Sequence, residues 1–496
     1  MTTAPASAPA PAISLLRTVA YVLGSMLMFV GLAMVTAALV SVFYSEFETA
    51  GWIVLAAVIT SGAGLAARRA VHRPRSITIK QGFATVGLAW FVFSLFGALP
   101  YLLSGSISGI SDAVFEATSG FTTTGATILD DPSNLPMGIA FWRALTQWMG
   151  GMGVIVLGVA VLPLLGTGGM QLARAESPGP SPDRLTPRFK ETAKRLWLVY
   201  AVITVLEIGF LLAGDMTGFQ AVIHSMTTVS TGGFGTEATS VAGFSDYTQW
   251  VITVFMLLGG ISFALHFRAW SKPVEYGRDA EFRIYMLIIT VAIVIVAGGL
   301  LKDVPAGDAI QDAAFNTVSV VTTTGFTSTD FGVWRPALQI IVMSLMFVGG
   351  MAGSTSGGMK VFRVWVLAKA AYNDLRRLIH PRGVFATRFG KKRLTDPMVQ
   401  SVQSFFLFYV MLFMGATFLL AFIDANLAED LDLVTTASAV AASLGNIGAG
   451  LGDVGPAYHY GGIPDLAKWL LASLMIIGRL ELFPVLVLFT RDLWRR

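Results

Sequence analysis

The sequence predicts an all-α integral membrane protein in which two N-terminal transmembrane helices precede four pseudo-symmetric repeats around one axis. Three observations predict it. Hydrophobic residues make up 54% of the 496 residues and charged residues 13%, whereas an ordinary soluble domain is about 25% charged. The apolar residues form ten runs of membrane-spanning length. Short glycine-rich clusters recur four times after the second run.

Composition also excludes several classes of site. The chain has no cysteine, which rules out disulfides, thiolate metal sites and cysteine nucleophiles. Its five histidines are scattered and form no metal-binding motif. Too few charges fall inside the apolar runs to build a cluster of catalytic acids and bases. We therefore expect neither an enzyme nor a nucleic-acid-binding protein.

The transmembrane runs were located by length, because a membrane helix needs about 20 mostly apolar residues. The ten runs lie approximately at residues 14–43, 51–67, 82–104, 138–165, 195–213, 247–267, 282–301, 334–372, 399–423 and 465–490. The first run is longer than the apolar region of a cleaved signal peptide and has no basic segment before it. We therefore expect it to be retained as a helix.

The distribution of basic residues predicts the orientation. If the ten runs simply alternate in direction, 29 of the 34 Lys and Arg residues fall on one side of the membrane. The positive-inside rule makes this side cytoplasmic, with both termini inside. The opposite side collects many of the Asp and Glu residues, and an acidic outer face raises the local concentration of cations.

After the second run the chain repeats one pattern: a span, a short apolar segment, a glycine-rich cluster and another span. The short segments are Asp112–Ser119, Phe219–Val229, Asp308–Val320 and Leu431–Ser443, which suit half-length helices entering from the outer side. Asp308 and Gln311 have the spacing of a capping box at the start of the third. The pattern predicts an N-terminal extension (1–75) and repeats at 76–173, 174–275, 276–375 and 376–496.

The clusters contain the candidate ion-binding residues. Their key glycines, Gly125, Gly233, Gly325 and Gly448, are 108, 92 and 123 residues apart. One Thr-Thr-Gly sequence is also typical of an ordinary turn, but four clusters, each between a half-length helix and a full span, indicate loops inside the membrane. Irregular backbone is tolerated there only where it is buried or lines an aqueous path.

Four such loops around one pore would form rings of carbonyl oxygens, which replace the hydration shell of K⁺. This fold is therefore four helix–pore-loop–helix repeats, and the ring is a candidate selectivity filter. The predicted K⁺-binding residues are Thr123, Thr124, Gly125, Thr231, Gly232, Gly233, Thr323, Thr324, Gly325, Asn446, Ile447 and Gly448.

The inner span of the third repeat is anomalous. From Trp334 to Tyr372 it has 39 residues, about 58 Å if it were one helix, against a hydrocarbon core of about 30 Å. Its middle, Gly349–Lys360, holds five glycines. One interpretation is an unwound gating loop beneath the filter; the other is a helix-packing seam with GxxxG spacing. The candidate gate residues are Gly349, Gly350, Gly353, Ser354, Thr355, Ser356, Gly357, Gly358, Lys360 and Arg479.

Three further side chains have two interpretations each. Arg479 lies deep in the last span, where an arginine usually faces a cavity or a partner. It either opposes cations below the filter and bonds the glycine-rich loop, or pairs with Glu481 or Glu207. Lys360 is either a tether or an interfacial lysine that extends to the membrane surface. For His224 we expect a hydrogen-bonded packing residue rather than a ligand.

At this point the motifs match a known family. The chain resembles the membrane subunit of Trk-type potassium uptake systems, in the superfamily that includes Ktr and plant HKT transporters. The resemblance covers essentially the whole chain. It rests on the motifs Thr123-Thr-Gly-Ala-Thr127, Ser230-Thr-Gly-Gly-Phe234, Thr323-Thr-Gly-Phe326, Asn446-Ile-Gly-Ala-Gly450, Gly349-Gly-Met-Ala-Gly-Ser-Thr-Ser-Gly-Gly-Met-Lys360 and Gly478-Arg-Leu-Glu481.

The resemblance implies a potassium transporter in the cytoplasmic (inner) membrane of a bacterium. It also implies a homodimer and a cytosolic TrkA-like ring that binds NAD, ATP or ADP and regulates transport, with K⁺ as the transported ion and no organic cofactor in this chain. A serine at the first filter position resembles the Na⁺-favouring variants of the superfamily. Since Gly125 stands there, we expect K⁺ and Rb⁺ to be preferred over Na⁺ and Li⁺.

Two transport mechanisms are compatible with these features. The first is uptake through a channel-like pore with a four-loop filter and an intramembrane gate. The alternative is an alternating-access symporter that couples K⁺ to Na⁺ or H⁺. Such symporters also use broken spans, but commonly in inverted halves, whereas the four units here all enter the membrane from the same side.

Overall fold

The computed structural model describes residues 12–71, 78–161, 185–390, 392–427 and 431–494. Within them the prediction of an all-α membrane fold is confirmed. The strands found in these ranges are two residues each, β1 Arg388–Phe389 and β2 Lys392–Arg393, paired antiparallel. The N-terminal stretch and the predicted boundaries at 75/76 and 173/174 lie outside the described residues, and the repeat limits remain predictions.

The helices of the first half carry the N-terminal pair and the first two clusters. They are α1 Ala12–Phe43, α2 Phe47–Arg69, α3 Ile79–Gly97, α4 Leu99–Leu103, α5 Ile110–Phe121, α6 Met137–Val161, α7 Leu185–Leu212, α8 Gly218–Val229, α9 Asp246–Gly259, α10 Phe263–Ser271 and α11 Val274–Arg278.

The helices of the second half carry the other two clusters. They are α12 Ala280–Leu300, α13 Ala306–Val321, α14 Pro336–Leu345, α15 Val361–Ile379, α16 Asp396–Leu427, α17 Leu433–Gly445, α18 Asp465–Arg479, α19 Phe483–Leu486 and α20 Arg491–Trp494. Short 3₁₀ turns at Pro132–Asn134, Phe331–Val333, Gly452–Val454, Tyr460–Gly462 and Val487–Phe489 connect some of them.

Among the described residues, six helices are long and apolar enough to cross a membrane, and two bent pairs extend this to as many as eight spans. The bent pairs lie within the sixth and tenth apolar runs, each of which hydropathy counts as one span. Helices α9 and α10 meet at 99°, and α18 meets Phe483–Phe489 at 114°. The break at residues 260–262 contains no charged residue, whereas the second break directly follows Arg479 and contains Glu481.

The helices α1 and α2 form an N-terminal hairpin held by small residues. A β-carbon added to Gly24 would lie 2.5 Å from the Gly64 carbonyl oxygen, and one added to Gly64 would lie 2.6 Å from the Gly24 oxygen. The two backbones are therefore close enough that only glycine fits at the crossing. This is the close approach by which small residues let membrane helices pack.

Four short helices, α5, α8, α13 and α17, are buried along most of their length and lie inside the ring of longer helices. They match the predicted half-length segments within about two residues, the usual uncertainty of helix ends. We call them the half-helices. The predicted capping box is wrong: α13 begins at Ala306 after Pro305, so Asp308 lies within the first turn, and Gln311 donates to Asp246 and Gln249 of α9 instead.

Candidate ion-conduction site

Each half-helix ends in a loop with the same alternation of backbone conformation. Two residues before each key glycine the backbone is left-handed, and it has a positive φ again at the glycine. The φ angles are 52°, 54°, 58° and 54° at Thr123, Thr231, Thr323 and Asn446, and 84°, 77°, 83° and 93° at Gly125, Gly233, Gly325 and Gly448. Glycine adopts positive φ at no steric cost, which explains its place in all four loops.

The four loops meet in a closed ring. A β-carbon added to each key glycine would strike the carbonyl oxygen of the next loop, at the residue just before that loop's own glycine. The distances are 2.2 Å from Gly125 to Gly232, 1.9 Å from Gly233 to Thr324, 1.8 Å from Gly325 to Ile447 and 2.6 Å from Gly448 to Thr124. The last contact joins the fourth loop to the first, so segments far apart in sequence surround one axis.

All twelve predicted filter residues lie in these four loops. Their threonine and asparagine side chains are fully buried, and some of them form hydrogen bonds within a loop or between two loops. The hydroxyls of Thr122 and Thr124 lie 2.7 Å apart, and those of Thr322 and Thr324 lie 2.8 Å apart. Asn446 Nδ2 donates to the Thr124 hydroxyl at 3.0 Å. No formal charge lies in the twelve-residue set, so the chemistry it offers is that of neutral oxygens.

Above the ring lies a cavity of about 400 Å³ whose wall includes all four key glycines. Carboxylates of Asp130, Glu237 and Asp330 also line it. A concave entrance lined by acidic side chains attracts cations. The cavity also contains the Arg143 and His459 side chains, and His459 Nε2 is 3.6 Å from Asp130 Oδ1.

Below the ring, the inner span of the third repeat is interrupted. Residues 346–360 between α14 and α15 are not helical, with positive φ at Gly349, Gly353 and Gly358. A packing seam would require a continuous helix, so the GxxxG interpretation does not hold for this segment. We call residues 346–360 the interrupted loop.

The interrupted loop forms hydrogen bonds with residues of the second, third and fourth predicted repeats. Its Thr355 hydroxyl contacts the carbonyl oxygens of Val229 at 3.0 Å and Gly259 at 3.1 Å. The Gly357 N–H donates to the Thr323 hydroxyl at 2.6 Å, which connects the loop directly to a predicted filter residue. The Gly358 N–H donates to the Gly445 carbonyl at 3.0 Å.

The other predicted gate residues lie in the same loop or against it. Gly350 accepts from the Val361 N–H, Gly353 accepts from the Phe263 N–H, and the Ser354 hydroxyl donates to the Met351 carbonyl. The Lys360 ammonium is buried and donates to the Ser356 carbonyl. Lys360 is thus not a lysine that extends to the membrane surface.

Arg479 is the last residue of α18 and is buried. Its Nη1 donates to the Thr355 carbonyl of the interrupted loop, while Nε and Nη2 have no hydrogen-bond partner within the described ranges. The alternative pairing with Glu481 is not seen, because Glu481 bonds the Arg363 guanidinium. Glu207 makes no ion pair with Arg479 in the described part of the chain either.

The expectation for His224 agrees with its contacts. Its ring stacks on Phe326 with centroids 5.4 Å apart, and Nε2 shares a hydrogen bond of 3.2 Å with the Thr236 hydroxyl. It lies on α8, behind its own loop, in contact with Phe326 and Thr236.

Sequence reasoning missed two side chains that bond ring carbonyls. Gln147 donates to the Gly232 oxygen at 2.7 Å and accepts from the Phe234 N–H at 3.1 Å. The Tyr460 hydroxyl donates to the Gly448 oxygen at 2.8 Å. For Gln147 a signal existed: Arg143 and Gln147 are four residues apart in an apolar span, so both point to one face. For Tyr460 no local signal exists.

The chain is similar to known proteins over nearly its whole length. A family model described as TrkH, cation transport protein, matches residues 48–495. The Trk system potassium uptake protein TrkH of Halomonas elongata is 40% identical over 488 residues, covering 97% of this chain and 100% of that protein. The Trk system potassium uptake protein TrkG of Escherichia coli is 33% identical over 492 residues, covering 97% and 99%.

A solved structure is similar over the same length. The crystal structure of the potassium transporter TrkH from Vibrio parahaemolyticus has a TM-score of 0.88 to this chain and is 36% identical in sequence. The match covers 97% of this chain and 99% of the Vibrio chain. These relatives are transport proteins and not enzymes. Since both the family model and the relatives span nearly the whole sequence, the chain belongs to the TrkH family of cation transport proteins.

Proposed function

We propose that this chain is the ion-conducting membrane subunit of a bacterial potassium uptake system. The observation that carries the proposal is the closed ring of four loops, in which backbone carbonyls gather around one axis beneath an acidic outer cavity. Neutral carbonyl oxygens in a ring replace the hydration shell of K⁺. The relatives named above are potassium uptake proteins by their printed names, which supports the same ion.

In this proposal the twelve ring residues form the selectivity filter and bind K⁺. The interrupted loop and Arg479 form the gate. The loop lies directly against Thr323 and Gly445, and Arg479 adds a buried positive charge that opposes a cation at the inner side of the ring. Opening requires the loop to move, and a partner that binds the open state more tightly would drive this motion.

Family membership and the distribution of charge support a proposal for the assembly. We propose a homodimer in the cytoplasmic membrane with both termini inside, controlled by a cytosolic nucleotide-binding ring of the TrkA type. The basic segment around Arg376 and Arg377 would face the cytoplasm under the positive-inside rule. These two guanidinium groups lie on the exposed part of α15, where Arg376 stacks on Phe385 and Arg377 pairs with Asp374.

Reconstituted liposomes test the proposed function. Liposomes loaded with K⁺ and containing the purified chain should accumulate radioactive Rb⁺ from outside. External K⁺ should suppress this uptake far better than external Na⁺. Equal suppression by both ions would contradict the proposed filter. Uptake that stops when the Na⁺ and pH gradients are removed would instead support the coupled symporter.

A further inference from the structure

One position in each half-helix faces the part of its own loop that follows the key glycine. We call this part the outgoing side of the loop. This position is nine residues before the key glycine, and we call it the brace position. It is occupied by Glu116, His224, Asn316 and Ala439. The first three side chains are fully buried, although buried polar side chains in a membrane protein are costly unless they are bonded. Each of the three bonds to its own loop beyond the glycine.

In the first repeat the brace is charged. The Thr127 hydroxyl donates to Glu116 Oε1 at 3.0 Å, and the Ile128 N–H donates to Oε2 at 3.0 Å. Arg143 of α6 forms a buried ion pair with the same carboxylate, with Nε 2.6 Å from Oε1. The Glu116 side chain therefore connects its half-helix, the outgoing side of the loop and the following span, α6.

The same arginine extends the brace to the second loop. Its Nη1 donates to the Gly235 carbonyl at 3.0 Å, and its guanidinium carbon lies 3.5 Å from the centre of the Phe234 ring. Gly235 and Phe234 directly follow the second key glycine. The Glu116–Arg143 pair thus fixes the positions of two adjacent loops relative to each other.

The second and third repeats use neutral side chains at this position. His224 shares a hydrogen bond with the Thr236 hydroxyl. Asn316 Nδ2 donates to the Ser328 hydroxyl at 3.0 Å and to the Thr329 hydroxyl at 3.2 Å, while its Oδ1 lies 3.4 Å from the Ser328 amide nitrogen. In both repeats the bonded loop residue is the third one after the key glycine.

The fourth repeat has alanine at the brace position, and the preceding residue bonds instead. The Ser438 hydroxyl donates to the Leu451 carbonyl at 3.0 Å and accepts from the Leu451 N–H at 2.9 Å. Leu451 is again the third residue after the glycine. Each of the four half-helices therefore forms a hydrogen bond to the third residue after the key glycine of its own loop. The side chain that forms this bond differs from repeat to repeat.

We propose that Glu116, His224, Asn316 and Ser438 are positioning residues that set the K⁺ selectivity of the ring. This inference rests on the proposed function and deepens it. A ring of carbonyls discriminates between ions of different size only while its width is maintained. The φ alternation fixes the incoming side of each loop, and these side chains hold the outgoing side against a helix that cannot move independently. Loss of one of these side chains allows the ring to adopt a wider range of geometries. The smaller Na⁺ ion then also passes.

Asn316→Ala is the direct test, with Asn373→Ala as its matched control. Asn373 is a buried asparagine on α15 whose amide donates to Thr387, outside the ring. Rb⁺ and Na⁺ flux are measured in proteoliposomes for the wild type and both variants. The Rb⁺/Na⁺ ratio should fall about tenfold for Asn316→Ala, equivalent to about 1.4 kcal/mol, and stay unchanged for Asn373→Ala.

A double-mutant cycle distinguishes positioning from general destabilisation. Ser328→Ala removes one of the two loop hydroxyls that Asn316 contacts, with little change in volume. If the two groups act through their mutual bond, the double variant should lose little more selectivity than either single variant. Full additivity of the two losses would overturn the proposal, as would a wild-type Rb⁺/Na⁺ ratio in folded Asn316→Ala.

The charged brace is tested separately by Glu116→Gln, with Asp112→Asn as its control. Asp112 lies on the same half-helix and is ion-paired with Lys468 at 2.6 Å, away from the loop. Glu116→Gln should lower the Rb⁺/Na⁺ ratio and Asp112→Asn should not; equal ratios in the two would overturn the assignment. A wild type without Rb⁺/Na⁺ discrimination would refute the proposed function itself, and this outcome is visible in the same assay before any variant is compared.

Discussion

At each key glycine, the space available to a β-carbon depends on a neighbouring loop. Gly298 of α12 has the same chemistry as Gly125, yet nothing lies within 4 Å of a β-carbon added to it, whereas one added to Gly125 would lie 2.2 Å from a carbonyl oxygen. The residue type is identical, and only the surroundings make one of them part of a ring.

Gly125→Ser is expected to reduce K⁺ over Na⁺ discrimination by about tenfold, or about 1.4 kcal/mol. The positive φ of 84° costs a side-chain-bearing residue roughly 1–2 kcal/mol, and the β-carbon must displace the Gly232 carbonyl. Competition of K⁺ and Na⁺ against Rb⁺ uptake in proteoliposomes measures the effect. Gly298→Ser is the control and should keep the wild-type ratio; an unaltered ratio in Gly125→Ser would show that this carbonyl ring does not select the ion.

Arg479→Ala is expected to increase K⁺ flux by up to about tenfold, the equivalent of about 1.4 kcal/mol of lost closed-state stabilisation. The substitution removes the bond to the Thr355 carbonyl and the positive charge below the ring. Arg479→Lys keeps the charge without the fork of five donors, so it should fall between Ala and wild type. Rb⁺ influx at fixed membrane potential is the measurement, and a lower flux in a folded Arg479→Ala protein would contradict a gating role.

At the scale of elements, the interrupted loop shows why glycine and serine replace a regular helix. Backbone groups that leave a helix inside a membrane need other partners, and this loop finds them both in the second repeat and elsewhere in its own repeat. The Met351 N–H donates to the Gly260 carbonyl at 2.9 Å, and the Ala352 N–H donates to Glu281 at 2.8 Å. The Gly260 contact lies at the bend between α9 and α10, so the loop and the bend stabilise each other.

Deletion of Ala352–Ser356 is expected to increase flux more than Arg479→Ala does and to weaken its dependence on nucleotide. The deletion removes the Thr355 bonds to Val229 and Gly259 together with the carbonyl that Arg479 contacts. Rb⁺ influx with and without the nucleotide-binding partner measures both effects. Size-exclusion profile and thermal unfolding serve as folding controls, and a folded deletion variant with wild-type flux and regulation would place the gate elsewhere.

At the scale of the whole molecule, the long helices present apolar side chains outward while polar ones gather at the axis. Phe406, Met411, Phe418 and Phe422 of α16 are exposed, as expected of a lipid-facing surface. The half-helices inside carry buried threonines and serines, and Glu116 of α5 pairs there with Arg143 of α6. The bilayer, rather than water, is therefore the solvent that this arrangement suits.

Charge reversal of the basic helix surface tests the proposed assembly. Arg376→Glu with Arg377→Glu should weaken binding of the cytosolic ring severalfold, and more strongly at low than at high salt, because exposed charges are screened. Co-purification at two salt concentrations measures it. Lys302→Glu, an exposed substitution between α12 and α13, should leave binding intact; wild-type binding by the double Arg variant would show that the ring docks elsewhere.

The sequence by itself determined the all-α membrane fold, the half-helices and the key glycines, and it showed that the third inner span is anomalous without deciding between a loop and a packing seam. These depend on local signals: the length of apolar runs, the position of glycine and the placement of charges. Only the tertiary structure decided which carbonyl lies against Gly125, that Arg479 bonds Thr355 rather than Glu481, that two spans bend, and that Glu116 pairs with Arg143. The three contacts join residues distant along the chain, and hydropathy and spacing carry no information about which distant groups meet. The bends are changes of direction that the length of an apolar run does not reveal.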